Sequence, residues 1–293
     1  MNRRNFLRTG AMGMATMATW PRSGQTVSAA AAGTSTNTLR LGIAGWTFRK
    51  FSLDDTLPML RRLDVRNLCI KDFHLPLTAS AEDIEAFHRK CREHGVTGYA
   101  VGPIYMGTQA EVDHAFEYAR RVGVKLIVGV PYRLDGERRV ESPELLRYVE
   151  GKVRQYDLRY AIHNHGPDDL PYPTGRALME WIGPLDRRIG ICLDIGHNLR
   201  AGVDPIEDLE KFGDRVYDLH LKNVTAADKT GKTVELGRGL ISIPDLARTL
   251  LKIGYSGVCS LEFEKDPDDP LPGVAESLGY FRGVLAALGA SAE

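Results

Sequence analysis

From Leu39 onward, short apolar runs alternate eight times with amphipathic helical patterns, and that alternation limits what the chain can become. The strand-like runs are Leu39–Ala44, Asn67–Phe73, Gly98–Gly102, Lys125–Val130, Arg159–His163, Gly190–Asp194, Val216–Leu221 and Gly257–Phe263. Most are continuously apolar rather than alternating, the pattern of parallel strands covered on both faces. Helical patterns follow at Asp54–Leu63, Glu82–His94, Gln109–Val122, Glu144–Tyr156, Arg176–Ile182, Ile206–Phe212, Asp245–Ile253 and Val274–Leu288. Ser80 with Asp83 and Thr108 with Glu111 read as capping boxes, and Ser142-Pro143 as a cap with proline in the first turn. Eight βα units over residues 36–293 predict an α/β chain folded as a (β/α)₈ barrel, which typically needs about 250 residues. A doubly wound sheet is the alternative. It would gather ligand residues at one switch point, whereas here polar residues recur at many strand ends. Neither a dinucleotide-binding glycine fingerprint nor a P-loop is present.

The first 35 residues stand apart. Asn2-Arg3-Arg4-Asn5-Phe6-Leu7-Arg8 resembles the twin-arginine export motif; a weakly apolar run, Thr9–Trp20, and a small-residue stretch, Val27–Ala32, follow it. The expectation is a signal peptide and linker over 1–35, with a periplasmic or secreted protein. Lys plus Arg and Asp plus Glu each number 38. Losing the leader's four arginines leaves 34 basic and 38 acidic residues, a net of −4. That balance argues against a nucleic-acid partner. No stretch approaches the roughly 20 apolar residues of a membrane span. Four cysteines do not make a disulfide scaffold; Cys69, Cys192 and Cys259 fall in strand-like runs and Cys91 on a helix, as small hydrophobes do. Nothing in the sequence sets an oligomeric state.

Five of the eight histidines, His74, His163, His165, His197 and His220, lie at the ends of strand-like runs; His88, His94 and His114 read as solvated helix residues. In a barrel all strand ends point into one mouth. The last four strands offer His163, Asp194, His220 and Glu262, one ligand-type side chain each. Two imidazoles and two carboxylates suit one divalent metal ion, Mn²⁺ first, with Zn²⁺ or Co²⁺ as alternatives. Residues two apart share a strand face, so His165, Lys222 and Glu264 compete with His163, His220 and Glu262 for the inward positions. The earlier member of each pair is deeper and is taken as the ligand. The long connection 223–242 is expected to cover the same face, with Asp228–Gly231 as a hairpin tip.

Several segments resemble the xylose isomerase-like TIM barrel family: Leu193-Asp194-Ile195-Gly196-His197, Asp204-Pro205, Asp214 to Lys222, Gly237-Arg238-Gly239 and Gly254 to Glu264. The resemblance covers most of 39–290. It implies one divalent metal held by Glu, Asp, His and Glu at the ends of strands five to eight, with the glutamates as acid and base. Asp194, His220 and Glu262 match; His163 stands where the family has Glu, which weakens a simple two-glutamate epimerase. Ile70-Lys71-Asp72-Phe73-His74-Leu75-Pro76 and His163-Asn164-His165-Gly166-Pro167 are similar to an exported subgroup associated with 3-oxo-glycoside and keto-sugar chemistry.

The implied reaction is proton abstraction beside a carbonyl of a sugar substrate, giving isomerisation, epimerisation or β-elimination. Glu262 is the expected base, with His165 and Lys71 as further acid–base candidates. Lys71 would otherwise pair with Asp72. His74, His197, Lys222 and Arg238 are assigned to substrate, as is Trp46, which could instead pack in the core. The rival function is an exported, non-catalytic sugar- or metal-binding barrel.

Overall fold

The apolar runs pair side by side in chain order: β1 (Thr38–Ala44), β2 (Asn67–Ile70), β3 (Thr97–Met106), β4 (Leu126–Asp135), β5 (Arg159–His163), β6 (Ile189–Asp194), β7 (Val216–Leu221) and β8 (Val258–Leu261). Each is parallel to the next. β8 returns to β1, with Arg40 opposite Val258 and Ile43 opposite Leu261, so the sheet closes into the expected (β/α)₈ TIM barrel. The structure is a computed structural model that describes residues 37–167 and 171–293; the expected leader lies outside the described residues.

The helices are α1 (Leu53–Arg62), α2 (Ala81–His94), α3 (Gln109–Val122), α4 (Pro143–Tyr156), α5 (Gly175–Ile182), α6 (Ile195–Arg200), α7 (Pro205–Phe212), α8 (Ile243–Lys252) and α9 (Leu271–Ala287). Both capping boxes form, at Ser80 and Thr108, and the Ser142 hydroxyl accepts from the Leu145 amide. None of the described helices is long and apolar enough to cross a membrane. The apolar faces meet in one continuous core that includes Ile43, Phe87, Phe116, Ile162, Leu219 and Phe281. Cys69, Ala100, Val128, Ala161 and Cys192 supply one small or β-branched side chain from each of five successive strands to a second cluster. All four cysteines are buried and free.

Three differences from the sequence reading bear on the site. β2 stops at Ile70 because the chain turns there, with the His74 amide donating to the Lys71 carbonyl. β4 runs past Val130 and pairs antiparallel with Arg138–Glu141 across Gly136, whose φ of +63° suits glycine. α6 is a helix where only a strand end was expected: the Asp194 carboxylate accepts from the His197 amide and caps it.

The helices around the last strands are tied together by Asp208, which is buried. It accepts from the Arg176 amide (3.0 Å) and Nε (2.8 Å) on α5 and from Asn198 Nδ2 (3.2 Å) on α6. Removing it strands these donors. We expect Asp208→Ala to cost about 3 kcal/mol of stability. A urea midpoint equal to wild type would show that this clamp contributes nothing.

Candidate metal centre

β5, β6 and β7 deliver His163, Asp194 and His220 to the floor of one mouth, and Glu262 follows directly after β8. All four are buried, and one ligand atom from each falls within 4.8 Å of the others. His163 Nε2 lies 3.2 Å from His220 Nδ1, 3.7 Å from Glu262 Oε2 and 3.9 Å from Asp194 Oδ2. His220 Nδ1 lies 3.1 Å from the same Glu262 oxygen. Asn164 locks β6 in place: its Oδ1 accepts from the Asp194 amide (2.7 Å) and its Nδ2 donates to the Asp194 carbonyl (3.1 Å). The sequence reading passed over Asn164, because nothing in its spacing distinguishes it from an ordinary loop asparagine.

Lys222 is the other occupant of the floor. It is 1% exposed, and its ammonium lies 3.0 Å from Asp194 Oδ2, 3.1 Å from Glu262 Oε2 and 3.4 Å from Glu264 Oε2. Gly196 permits this, since a Cβ there would come within 2.6 Å of Lys222 Cγ. His197 Nδ1 faces the Gly166 carbonyl at 3.2 Å and Nε2 faces the Lys222 ammonium at 3.2 Å. The ammonium only donates, so Nε2 accepts and the proton of the neutral ring sits on Nδ1, towards the Gly166 carbonyl; an Arg200 guanidinium nitrogen also lies 3.3 Å from Nδ1. Burial, reinforced by Lys222, keeps this imidazole uncharged. Burial alone would neutralise Lys222, but Asp194, Glu262 and Glu264 hold it protonated. Burial likewise raises Glu262, yet Lys222 and His220 pull it well below the usual carboxylate range.

The floor suits a divalent cation on two counts. A metal ion with bonds of about 2.0–2.2 Å spaces neighbouring ligands roughly 3.0–3.5 Å apart; the four separations above run from 3.1 to 3.9 Å, and all four donors lie within 4.8 Å of one another. Charge agrees: three carboxylates face one ammonium, and burial pushes the Asp194 carboxyl up despite Lys222. His163, Asp194, His220 and Glu262 would be the ligands.

Above the floor, a pocket of about 150 Å³ is lined by Trp46, Lys71, Pro103, Tyr105, His163, His165, His197, Glu262 and Glu264. Trp46 is at the rim rather than in the core, 37% exposed, and its Nε1–H donates to Glu264 Oε1 (3.0 Å). His165 is on the wall, and burial lowers its imidazole to about 4. Lys71 both lines the pocket and pairs with Asp72 at 2.7 Å.

Two of the residues assigned to substrate lie apart from this pocket. His74 does not line this pocket; it is buried under the turn after β2, bonded to Thr56 Oγ1 (3.2 Å). Arg238 is drawn off by the Glu276 carboxylate on α9, through two contacts of 2.6 Å. Among the helix histidines, His88 is not simply solvated: its Nε2 meets the Val122 carbonyl at the end of α3. The 223–242 connection does form a hairpin, Asn223–Val224 against Thr233–Val234, with the Gly231 amide donating to the Asp228 carbonyl. The Asn223 side chain pins it through the Leu236 and Ile241 carbonyls and the Ile241 amide. Tyr105 was not foreseen, because β3 runs beyond Gly102.

Comparison with known proteins gives a consistent picture. The sequence pattern of a family described as xylose isomerase-like TIM barrel matches residues 65–284. The rhizopine catabolism protein MocC of Rhizobium meliloti is 23% identical over 176 residues, 55% of this chain and 54% of that one. An inosose dehydratase of Geobacillus kaustophilus is 30% identical over 105 residues, 31% of this chain and 33% of that one. The chain thus spans about half the length of the first relative and a third of the second. In fold it is similar to the IOLI protein solved with a bound zinc atom, with a TM-score of 0.71 at 18% identity, covering 85% of this chain and 99% of that one.

Burial holds both His74 and His165 at about 4, below the ordinary 6.5. Between those values the unfolded chain binds the extra proton, so the stabilisation is whole above pH 6.5 and is lost as pH falls towards 4. The loss reaches up to about 3 kcal/mol per residue. His74→Gln, which keeps a partner for Thr56, should flatten the fall seen in denaturant unfolding of the metal-free protein between pH 7 and 4.5. Parallel curves for wild type and variant would contradict this.

Proposed function

The chain belongs to the xylose isomerase-like TIM barrel family, and from that premise we propose that it is a metal-dependent enzyme that abstracts a proton beside the carbonyl of a keto-sugar or 3-oxo-glycoside, as an isomerase, epimerase or lyase. The observation that carries this reading is the buried quartet His163, Asp194, His220 and Glu262 at the base of a pocket of about 150 Å³. We place Mn²⁺ first among the ions to test, then Zn²⁺ and Co²⁺; the zinc of the IOLI protein supports including Zn²⁺. When bound, the ion would supply Lewis-acid polarisation of a carbonyl.

The chain's own residues supply the rest. Glu262 is held ionised, lines the pocket, and takes its contacts to Lys222 and His220 through Oε2. It is the base that removes the α-proton. His165 is uncharged at neutral pH, lines the pocket and has no partner at Nδ1 among the described residues. Once it has taken up a proton from solvent, it can pass that proton to the opposite face, to the neighbouring carbon, or to a departing β-oxygen, and returns to the neutral ring. These three returns distinguish epimerase, isomerase and lyase. Lys222 stays charged on the floor and offsets the negative charge that develops on the substrate. Trp46 offers an indole face at the rim for an apolar sugar face, and Lys71 a polar contact on the wall. The twin-arginine pattern at Arg3-Arg4 supports the proposal that this chemistry takes place outside the cytoplasm.

The test is exchange of the substrate's α-proton with solvent deuterium, across a panel of hydroxy ketones and 3-oxo-glucosides. Exchange should require the metal. Glu262→Gln should lose it by roughly 10²–10⁴-fold while binding substrate far less altered, with metal content measured alongside. Metal and sugar binding without exchange on any substrate would favour the non-catalytic barrel. Cleavage of abasic DNA in place of exchange would put the chain in a different branch of the family.

A further inference from the structure

Below the ligand quartet, towards the amino-terminal end of the barrel, lies a carboxylate that the proposed reaction does not use. Asp218 is on β7, two residues before His220, and the period of a strand puts both on one face. It is 0% exposed. Tyr99 on β3 reaches it with a hydroxyl 2.9 Å from both carboxylate oxygens. Ser260 Oγ on β8 lies 2.6 Å from that hydroxyl. Since Tyr99 donates to Asp218, the Ser260 hydroxyl donates to Tyr99. Cys192 Sγ on β6 adds a long contact of 3.8 Å.

Two strands therefore direct neutral donors at one buried carboxylate, a third supports the Tyr99 hydroxyl from behind, and none of the described lysines or arginines pairs with Asp218. Neutral hydroxyls offset only part of the cost of burying a carboxylate. The remaining group that faces it is His220: its Nε2 is 3.7 Å from Asp218 Oδ2, is buried and has no hydrogen-bond partner among the described residues. The other nitrogen of the same ring, Nδ1, is the one turned to His163 and Glu262.

We infer that Asp218 is a positioning residue for His220: it draws the Nε2–H of the imidazole towards itself and so keeps the Nδ1 lone pair turned to the ligand cluster. Tyr99 and Ser260 hold the carboxylate at that station. A metal-ligating imidazole is oriented in this way when an outer carboxylate takes its second N–H, and losing such a partner commonly weakens metal affinity 10–100-fold. The inference rests on the metal-centre reading given above, but the position of the proton on His220 is a property of the chain alone.

The experiment has two arms. Zn²⁺ affinity is measured by chelator competition for wild type, Asp218→Asn and Cys192→Ala, alongside urea unfolding of each metal-free protein. Asp218→Asn should bind Zn²⁺ 10–100-fold more weakly at a metal-free midpoint near wild type, and Cys192→Ala should bind within about twofold of wild type, the small effect expected if the thiol is not the partner that orients His220. Equal Zn²⁺ affinity for wild type and Asp218→Asn would overturn the inference, as would a loss carried by Cys192→Ala instead. The second arm is ¹⁵N NMR of histidine-labelled wild type, with His220 identified by its absence in His220→Gln. Titrated to the pH at which the ring is neutral, His220 should carry its single proton on Nε2; a neutral ring with a bare Nε2 overturns the inference even if Asp218→Asn does not fold. Should wild type bind no Zn²⁺, the metal-centre reading fails, and the NMR arm still decides the role of Asp218.

Discussion

Pairing of β8 with β1 is the constraint from which the rest of the structure follows. An open sheet of these strands would leave two edges unpaired and spread its strand ends along a line. Closure removes the edges and turns that line into a ring. His163, Asp194, His220 and Glu262 are up to 99 positions apart in the chain, yet each comes from the end of a neighbouring strand, so no loop has to fold back to bring them together. Because every neighbouring pair is parallel, each such end falls on the same face of the barrel. The ligand floor is thus a property of topology and strand register before it is one of side chains.

What the sequence made legible follows from this. The continuous apolar runs, their count and the capping boxes are local signals, and a closed barrel satisfies all of them together. The ligand quartet could be read because one polar side chain after each apolar strand is a repeated pattern. Arg238 and His74 could not be read, because their places depend on partners remote in sequence: Glu276 on α9 for one, Thr56 on α1 for the other. Asn164, Asp218 and Tyr105 escaped for the same reason. Each is an ordinary residue in its own segment and acquires a role only from the strand that comes to lie beside it. The hairpin at Gly136 is a different case. Asp135-Gly136 is a local turn signal, and a strand ended at Val130 left it unused.

The electrostatics of the floor show how a barrel can bury several ionisable groups. Asp194, Glu262 and Glu264 share Lys222, and the His197 imidazole accepts from the same ammonium. No charge there has a partner of its own. In such a network the loss of one member leaves several others uncompensated in a low-dielectric interior. The close approach at Gly196 belongs to the same arrangement, since the Lys222 stem can reach the floor only where the α6 backbone carries no side chain.

The mouth is divided between two halves of the chain. The quartet on the floor comes from the ends of β5 to β8, whereas the pocket wall is shared: Trp46, Lys71, Pro103 and Tyr105 come from the segments at the ends of β1 to β3, and His165, His197 and Glu264 from the second half. A substitution at Trp46, Lys71, Pro103 or Tyr105 therefore changes the shape of the pocket without removing any of the four side chains on its floor. One rim of the mouth can be recut while the floor keeps its composition.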